Sequence, residues 1–216
     1  MSNRAMETLG RVREICRETA GDSFEVLIAG PTAEVVDLRR VTSRDFRMIA
    51  ALALAVVFLI VLLLLRDPIL SGFMILATVV SYLATLGVAR LVFMDLLGGE
   101  GLDWKVQAFL FVVLVAVGQD YNIFLAARLA EEGRRHSAKE AARRAIVSTG
   151  GIISSAGVIM AATLGSLMAG DITLLVQLGF AFALGMLLDT FVVRPLMLPA
   201  FVVLTGRTGR PLGRAA

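Results

Sequence analysis

Cysteine occurs once, at Cys16, and histidine once, at His136. A single thiol excludes an intrachain disulfide framework and a cysteine-rich zinc site. His136, set among Arg134, Arg135 and Lys139, cannot build a metal site by itself. Charge is scarce as well: 18% of the 216 residues are charged against 57% apolar, with a mean hydropathy of +0.82. Soluble domains carry roughly 25% charged and 45–50% apolar residues. The charges that are present are segregated into short stretches between long uncharged ones, which rules out a water-soluble monomer. Also missing are a nucleophile–base constellation, a phosphate loop and a metal-ligand spacing, so neither an enzyme nor a cofactor is expected. Gly98-Gly99-Glu100-Gly101 reads as a flexible loop only. A net charge of +3 and a pI near 9.6 would suit nucleic acid, but the basic residues flank apolar runs, so the partner they fit is the bilayer surface.

What is present is a series of five runs long enough to cross a hydrocarbon core, which asks for about 20 mainly apolar residues. They extend from about Phe46 to Leu65, Ile69 to Met94, Val106 to Ala127, Ile146 to Ala169 and Ile172 to Leu204. The Arg66-Asp67-Pro68 break separates the first two, and short connections make consecutive helices antiparallel neighbours. Before them, residues 4–20 read as a short amphipathic helix, Phe24 to Ala29 has strand character, and Thr32 to Arg44 reads as a polar helix. The expected fold is therefore an all-α membrane protein with a short α/β remnant of an extramembrane module over residues 1–45. A bundle follows over 46–204 and a basic tail over 205–216. Residues 130–144 suggest an amphipathic helix lying along the membrane surface.

Orientation follows from the loops. Arg128, Arg134, Arg135, Lys139, Arg143 and Arg144 cluster in one connection, and Arg207, Arg210 and Arg214 in the tail. The positive-inside rule places both in the cytoplasm and, with five spans, the N-terminus outside. The first 45 residues contain no apolar signal region to export them, so either the chain begins inside a longer parent protein, the favoured expectation, or the first helix inserts with its N-terminus translocated.

The position richest in chemistry is Asp120, in Gly118-Gln119-Asp120-Tyr121-Asn122, about two thirds along the third span. A carboxylate near the centre of a membrane helix costs about 2.5–3.5 kcal/mol on insertion scales and normally faces a bundle interior or a water path. Desolvation favours the neutral acid and neighbouring donors favour the anion, so a group balanced between them can load and release a proton. The competing reading is a polar pairing that fixes helix register. Tyr121 points about 100° away around the helix and is placed to hydrogen-bond a carboxylate on a facing helix.

The fourth span offers Gly150 with Ser154 and Gly151 with Ser155, small residues at four-residue spacing that permit close helix approach. Packing accounts for the glycines, while Ser154 and Ser155 are candidates for a polar path. In the fifth span, Asp189 and Arg194 stand five residues apart, about 140° around an α-helix, and so are poor partners for each other. Asp189 is expected to form a structural link to Arg143 or Arg144, and Arg194-Pro195 to be an interfacial anchor where the helix bends or ends.

Three segments, VGQDYNIFLAARLAEEG, STGGIISSAGVIMAATL and LGFAFALGMLLDTFVVRPLMLPA, resemble successive signatures of the MMPL subfamily of RND (resistance-nodulation-division) transporters, covering about Phe109 to Ala200. The resemblance implies about twelve spans in two pseudo-repeated halves and proton-driven export of lipids or other hydrophobic compounds from the plasma membrane. It also implies a facing pair of Asp-Tyr proton relays, of which Asp120 and Tyr121 match the C-terminal one. Protons would be the coupling ion and no other cofactor is implied. Gln119 departs from the small or apolar residue usual there. This chain resembles only the C-terminal half, so it is expected to work with an N-terminal half or as a homo-oligomer. The alternative is a non-transporting accessory or truncated remnant of the same architecture.

Overall fold

The computed structural model describes residues 3–20, 28–99, 101–206 and 208. The first helix, α1 (Asn3–Ala20), lies beside α2 (Pro31–Leu65), where Arg13 reaches Asp37 at 3.5 Å. Pro31 sits in the first turn of α2, where its fixed φ favours a helix start and its missing N–H goes unnoticed. From there α2 runs 35 residues without a break, about 1.5 Å each, so the polar lead-in and the first apolar run are one rod. The expected strand, Phe24 to Ala29, falls outside the described residues except for Ile28 and Ala29, which are not in a strand. No strand occurs among the described residues, and the α/β reading of the N-terminal segment is corrected to helix beside helix.

The turn into α3 (Pro68–Arg90) is made by three residues with separate tasks. Arg66 adopts the left-handed conformation, φ 51°, and closes α2 through its N–H on the Leu62 carbonyl. The Asp67 carboxylate then accepts from the backbone N–H groups of Ile69 and Leu70 at 3.0 and 3.1 Å, a standard N-terminal cap. Pro68 again occupies a position that needs no donor. After α3, a π-helical turn over Leu91–Leu96 leads to α4 (Trp104–Glu132), capped by Asp103 through the Lys105 N–H at 2.9 Å. Gln177 of the last span ties this loop down, accepting from the Asp103 N–H at 2.9 Å and donating to the Gly101 carbonyl at 3.0 Å.

No separate helix lies along the membrane surface over 130–144. Instead α4 continues to Glu132, Gly133 to His136 turn, and α5 (Ala138–Gly165) rises directly from the turn. The basic residues there are held locally: Arg128 pairs with Glu131 and Glu132, and Arg143 and Arg144 both pair with Glu140 at 3.0 and 2.8 Å. These pairs are spaced three and four residues apart along each helix.

A 3₁₀ turn, Ser166–Ala169, joins α5 to the last span. That span is α6 (Thr173–Leu188), a π-helical segment over Asp189–Met197, and α7 (Leu198–Thr205), following one another without a break. Five helices are long and apolar enough to cross a membrane: Asp45–Leu65, Pro68–Leu96, Trp104–Glu132, Ala138–Ala169 and Thr173–Thr205. The buried apolar residues form two clusters. One joins Leu65, Leu70, Leu125, Leu129, Ala142 and Val202 near the α4–α5 turn, and the other joins Tyr82, Val106, Leu110, Leu114, Phe182 and Met186 toward the opposite end. What lies between the two clusters is polar.

Candidate functional site

Counting from either end, the middles of α3, α4, α5 and the last span fall near residues 79, 118, 152 and 189 (midpoints of the bounds above). Eight of the eleven buried polar side chains among the described residues collect near this height: Thr78 and Ser81 from α3, Gln119 and Asn122 from α4, Thr149 from α5, and Asp189, Thr190 and Arg194 from the last span. A polar layer at mid-depth is costly in hydrocarbon and persists where its members satisfy one another.

The strongest mutual satisfaction is between Asp189 and Arg194, which are 3% and 2% exposed and form a direct ion pair. Geometry in an α-helix forbids it, and the expectation that they are poor partners is corrected by the backbone. Pro195 has no N–H, and in an α-helix its ring would strike the carbonyl of Phe191. The segment widens into a π-helix, whose i→i+5 bonding stacks residues five apart, and Asp189 thereby meets Arg194. Neither Arg143 nor Arg144 is available to Asp189, since both bond Glu140. Arg194 is a buried member of the polar layer rather than an interfacial anchor.

Gly157 lets the backbone of α5 reach the segment that carries this pair, while Gly118 puts α4 in ordinary contact with it. A β-carbon on Gly118 would stand 3.6 Å from an Asp189 carboxylate oxygen, and one on Gly157 would collide with the Thr190 side chain. So α5 presses closely onto the π segment at Thr190, and α4 packs beside Asp189 at normal contact distance.

Tyr121 joins the same unit. Its ring lies under the Arg194 guanidinium, with 4.6 Å between the guanidinium carbon and the ring centroid, a distance at which the ring quadrupole attracts the cation. Asp120 does not join. It is exposed on the outer face of α4, in a stripe with Phe109, Val112, Ala116 and Phe124, and it forms no hydrogen bond or ion pair among the described residues. The expected direction into the interior of this bundle is thus corrected: successive steps of three and four residues carry the stripe along the outside. The two polar-path candidates also separate. Ser154 is half-buried and lines a small cavity with Thr149, Thr190 and Arg194, whereas Ser155 is exposed and donates to the Ile152 carbonyl at 3.1 Å.

Gln119 and Thr78 were not among the sequence candidates. Gln119 donates to the Thr78 hydroxyl at 2.6 Å across α3 and α4. The signal available was the spacing of Ser71, Thr78, Ser81 and Thr85, which share the buried face of α3.

The sequence profile described as the MMPL family matches residues 1–215. The chain belongs to the MMPL family. A Streptomyces coelicolor chain whose name assigns it to the membrane and to no activity is 41% identical over 209 residues, covering 95% of this chain and 25% of that one. The "Sulfolipid-1 exporter MmpL8" of Mycobacterium tuberculosis is 38% identical over 210 residues, 95% of this chain and 19% of that one. The "Probable transport protein MmpL10" of Mycobacterium leprae is 37% identical over 223 residues, 100% of this chain and 22% of that one. This MMPL chain therefore spans about a quarter or less of the length of these relatives. The family and the five apolar helices together establish a multi-pass membrane protein.

Proposed function

We propose that this chain forms the part of a proton-driven MMPL exporter that supplies one carboxylate–tyrosine pair, Asp120 and Tyr121, to a relay facing a second membrane half. The observation that carries the reading is the exposed, unpartnered Asp120 at mid-depth of an otherwise apolar outer stripe. Lipid is a poor neighbour for a carboxylate, at about 2.5–3.5 kcal/mol, whereas a facing helix with its own polar groups removes that cost and gives the proton somewhere to go. Each proton that moves down the potential releases about 2.3 kcal/mol per 100 mV, and that release drives the cycle. The cargo class is a lipid or other hydrophobic compound, supported by the relative named for sulfolipid-1 export. The bundle sits in the plasma membrane with the α4–α5 turn inside, as the basic residues at Arg128, Arg134, Arg135 and Arg144 favour, and its N-terminal segment outside.

The test is transport by vesicles holding this chain together with the other half, under an imposed proton gradient. Asp120→Asn is expected to abolish gradient-driven export while leaving the protein in the membrane. Export by Asp120→Asn at the unmodified rate would remove Asp120 from the relay.

A further inference from the structure

All three glutamates between residues 128 and 144 are taken. Glu131 and Glu132 pair with Arg128, Glu132 also lies 3.5 Å from His136, and Glu140 pairs with both Arg143 and Arg144. Arg128 is held further by the Ser148 hydroxyl, to which its Nε donates at 3.3 Å. The other cations of the same stretch are left over. Arg134, Arg135 and Lys139 are exposed and form no ion pair among the described residues.

Depth separates the two groups. The hydrocarbon core reaches about 15 Å to either side of its middle, which at about 1.5 Å per residue is about ten helical residues. With the middles of α4 and α5 near residues 118 and 152, Arg128, Arg143 and Arg144 stand at the hydrocarbon boundary, each neutralised by a glutamate of its own helix. Arg134, Arg135 and Lys139 follow within about 10 Å beyond it, where the headgroup layer lies within reach of long side chains. Arg134 and Arg135 are adjacent, and Lys139 comes four residues later, so the turn concentrates like charge that an anion relieves. A guanidinium bonds two phosphate oxygens at once through its planar fork, and an ammonium suits the same group as a point charge. Lipid phosphate is the anion held at that depth. A zwitterionic headgroup brings a cation of its own to the turn, whereas a net-anionic one does not.

We infer that the α4–α5 turn is a binding surface for net-anionic phospholipid, held by Arg134, Arg135 and Lys139, while Arg128, Arg143 and Arg144 serve the helices themselves. The inference rests on the proposed orientation only in assigning this surface to the cytoplasmic leaflet. It needs neither a proton relay nor a second membrane half, so its test is separate from the transport assay.

That test is native mass spectrometry of the full-length protein, released from detergent after titration with phosphatidylglycerol or with phosphatidylcholine of the same acyl chains. The unmodified protein is expected to retain phosphatidylglycerol several-fold more tightly than phosphatidylcholine, since each exposed cation near a membrane surface adds to the attraction for anionic lipid. The preference should shrink when the titration is done near 1 M salt, where the screening length falls to about 3 Å. Two variants that each remove two arginines from this stretch then locate the surface. Arg134→Gln with Arg135→Gln is expected to lose most of the preference. Arg143→Gln with Arg144→Gln is expected to keep it, because those two already serve Glu140. Equal retention of both lipids by the unmodified protein would overturn the inference and leave the turn to a soluble acidic partner. An equal loss in the two variants would overturn it too, since net charge and not the unpaired cations would then be what the lipid reads.

Discussion

Two aspartates stand at nearly the same depth of this bundle and are treated in opposite ways. Asp189 is enclosed, opposed by Arg194 on its own segment and approached by α4 at Gly118. Asp120 is on the outside of α4 with apolar residues above and below it and no partner among the described residues. The difference teaches which carboxylate holds this bundle together and which contributes nothing to its internal packing. A carboxylate enclosed with a cation cannot be removed without leaving that cation buried and alone, so it is bound to a structural task. A carboxylate on the outer face, with no partner among the described residues, has no such task within this bundle. Tyr121 stands between the two, adjacent in sequence to the free acid and in contact with the bound cation.

The sharpest way to break the comparison is to remove one member of the enclosed pair. Arg194→Ala or Asp189→Ala leaves a buried charge uncompensated and is expected to cost about 3–5 kcal/mol, read as a loss of thermal stability in detergent. The double replacement Asp189→Leu with Arg194→Met should recover most of that loss, because no charge remains. If either single replacement were tolerated without effect, Asp189 would be no more committed than Asp120. Next in size is Gly157→Leu. Its side chain enters the space of Thr190, and overpacking of this kind costs about 1–3 kcal/mol. Thermal unfolding of Gly157→Leu in a Thr190→Ala background should recover part of the loss. An equal loss in both backgrounds would mean that the close approach of α5 is not what Gly157 provides.

The contrast between the two aspartates was half legible in the sequence. Five apolar runs and the Arg66-Asp67-Pro68 break gave the helices and the first turn, because length and capping chemistry act locally. Asp120 and Tyr121 stood out because a carboxylate among apolar turns is rare whatever surrounds it. The partnership of Asp189 and Arg194 was hidden, since α-helical angles place them apart and only the π register induced around Pro195 joins them. Pro195 was visible, but what it does to the helix depends on the packing of α4 and α5 against that segment. The direction of Asp120 was hidden for a related reason: the weak amphipathicity of an apolar helix does not say which side meets other helices. The N-terminal strand expectation came from a short β-prone run, most of which lies outside the described residues, and no strand occurs among those that are described.

Smaller still is the effect expected at Tyr121. Tyr121→Phe keeps a ring under Arg194 and should change stability little, whereas Tyr121→Leu removes the cation–π contact, worth about 0.5–2 kcal/mol depending on desolvation. A comparable loss in both variants would assign the contribution to the hydroxyl and not to the ring.

The smallest structural effect is expected at Asp120, and it sharpens the comparison most. With no partner in this bundle, Asp120→Asn should leave thermal stability within about 0.5 kcal/mol, the usual range for a surface change away from special contacts, while abolishing gradient-driven export. Asp189→Asn should do the reverse in order of severity, lowering stability first because it strands Arg194. Measuring unfolding and transport on the same two preparations separates the roles. A relay residue loses function at constant stability, and a structural residue loses both together. If Asp120→Asn lowered stability as far as Asp189→Asn does, Asp120 would be paired in the assembled protein as tightly as Asp189 is here, and its freedom to exchange a proton would be gone.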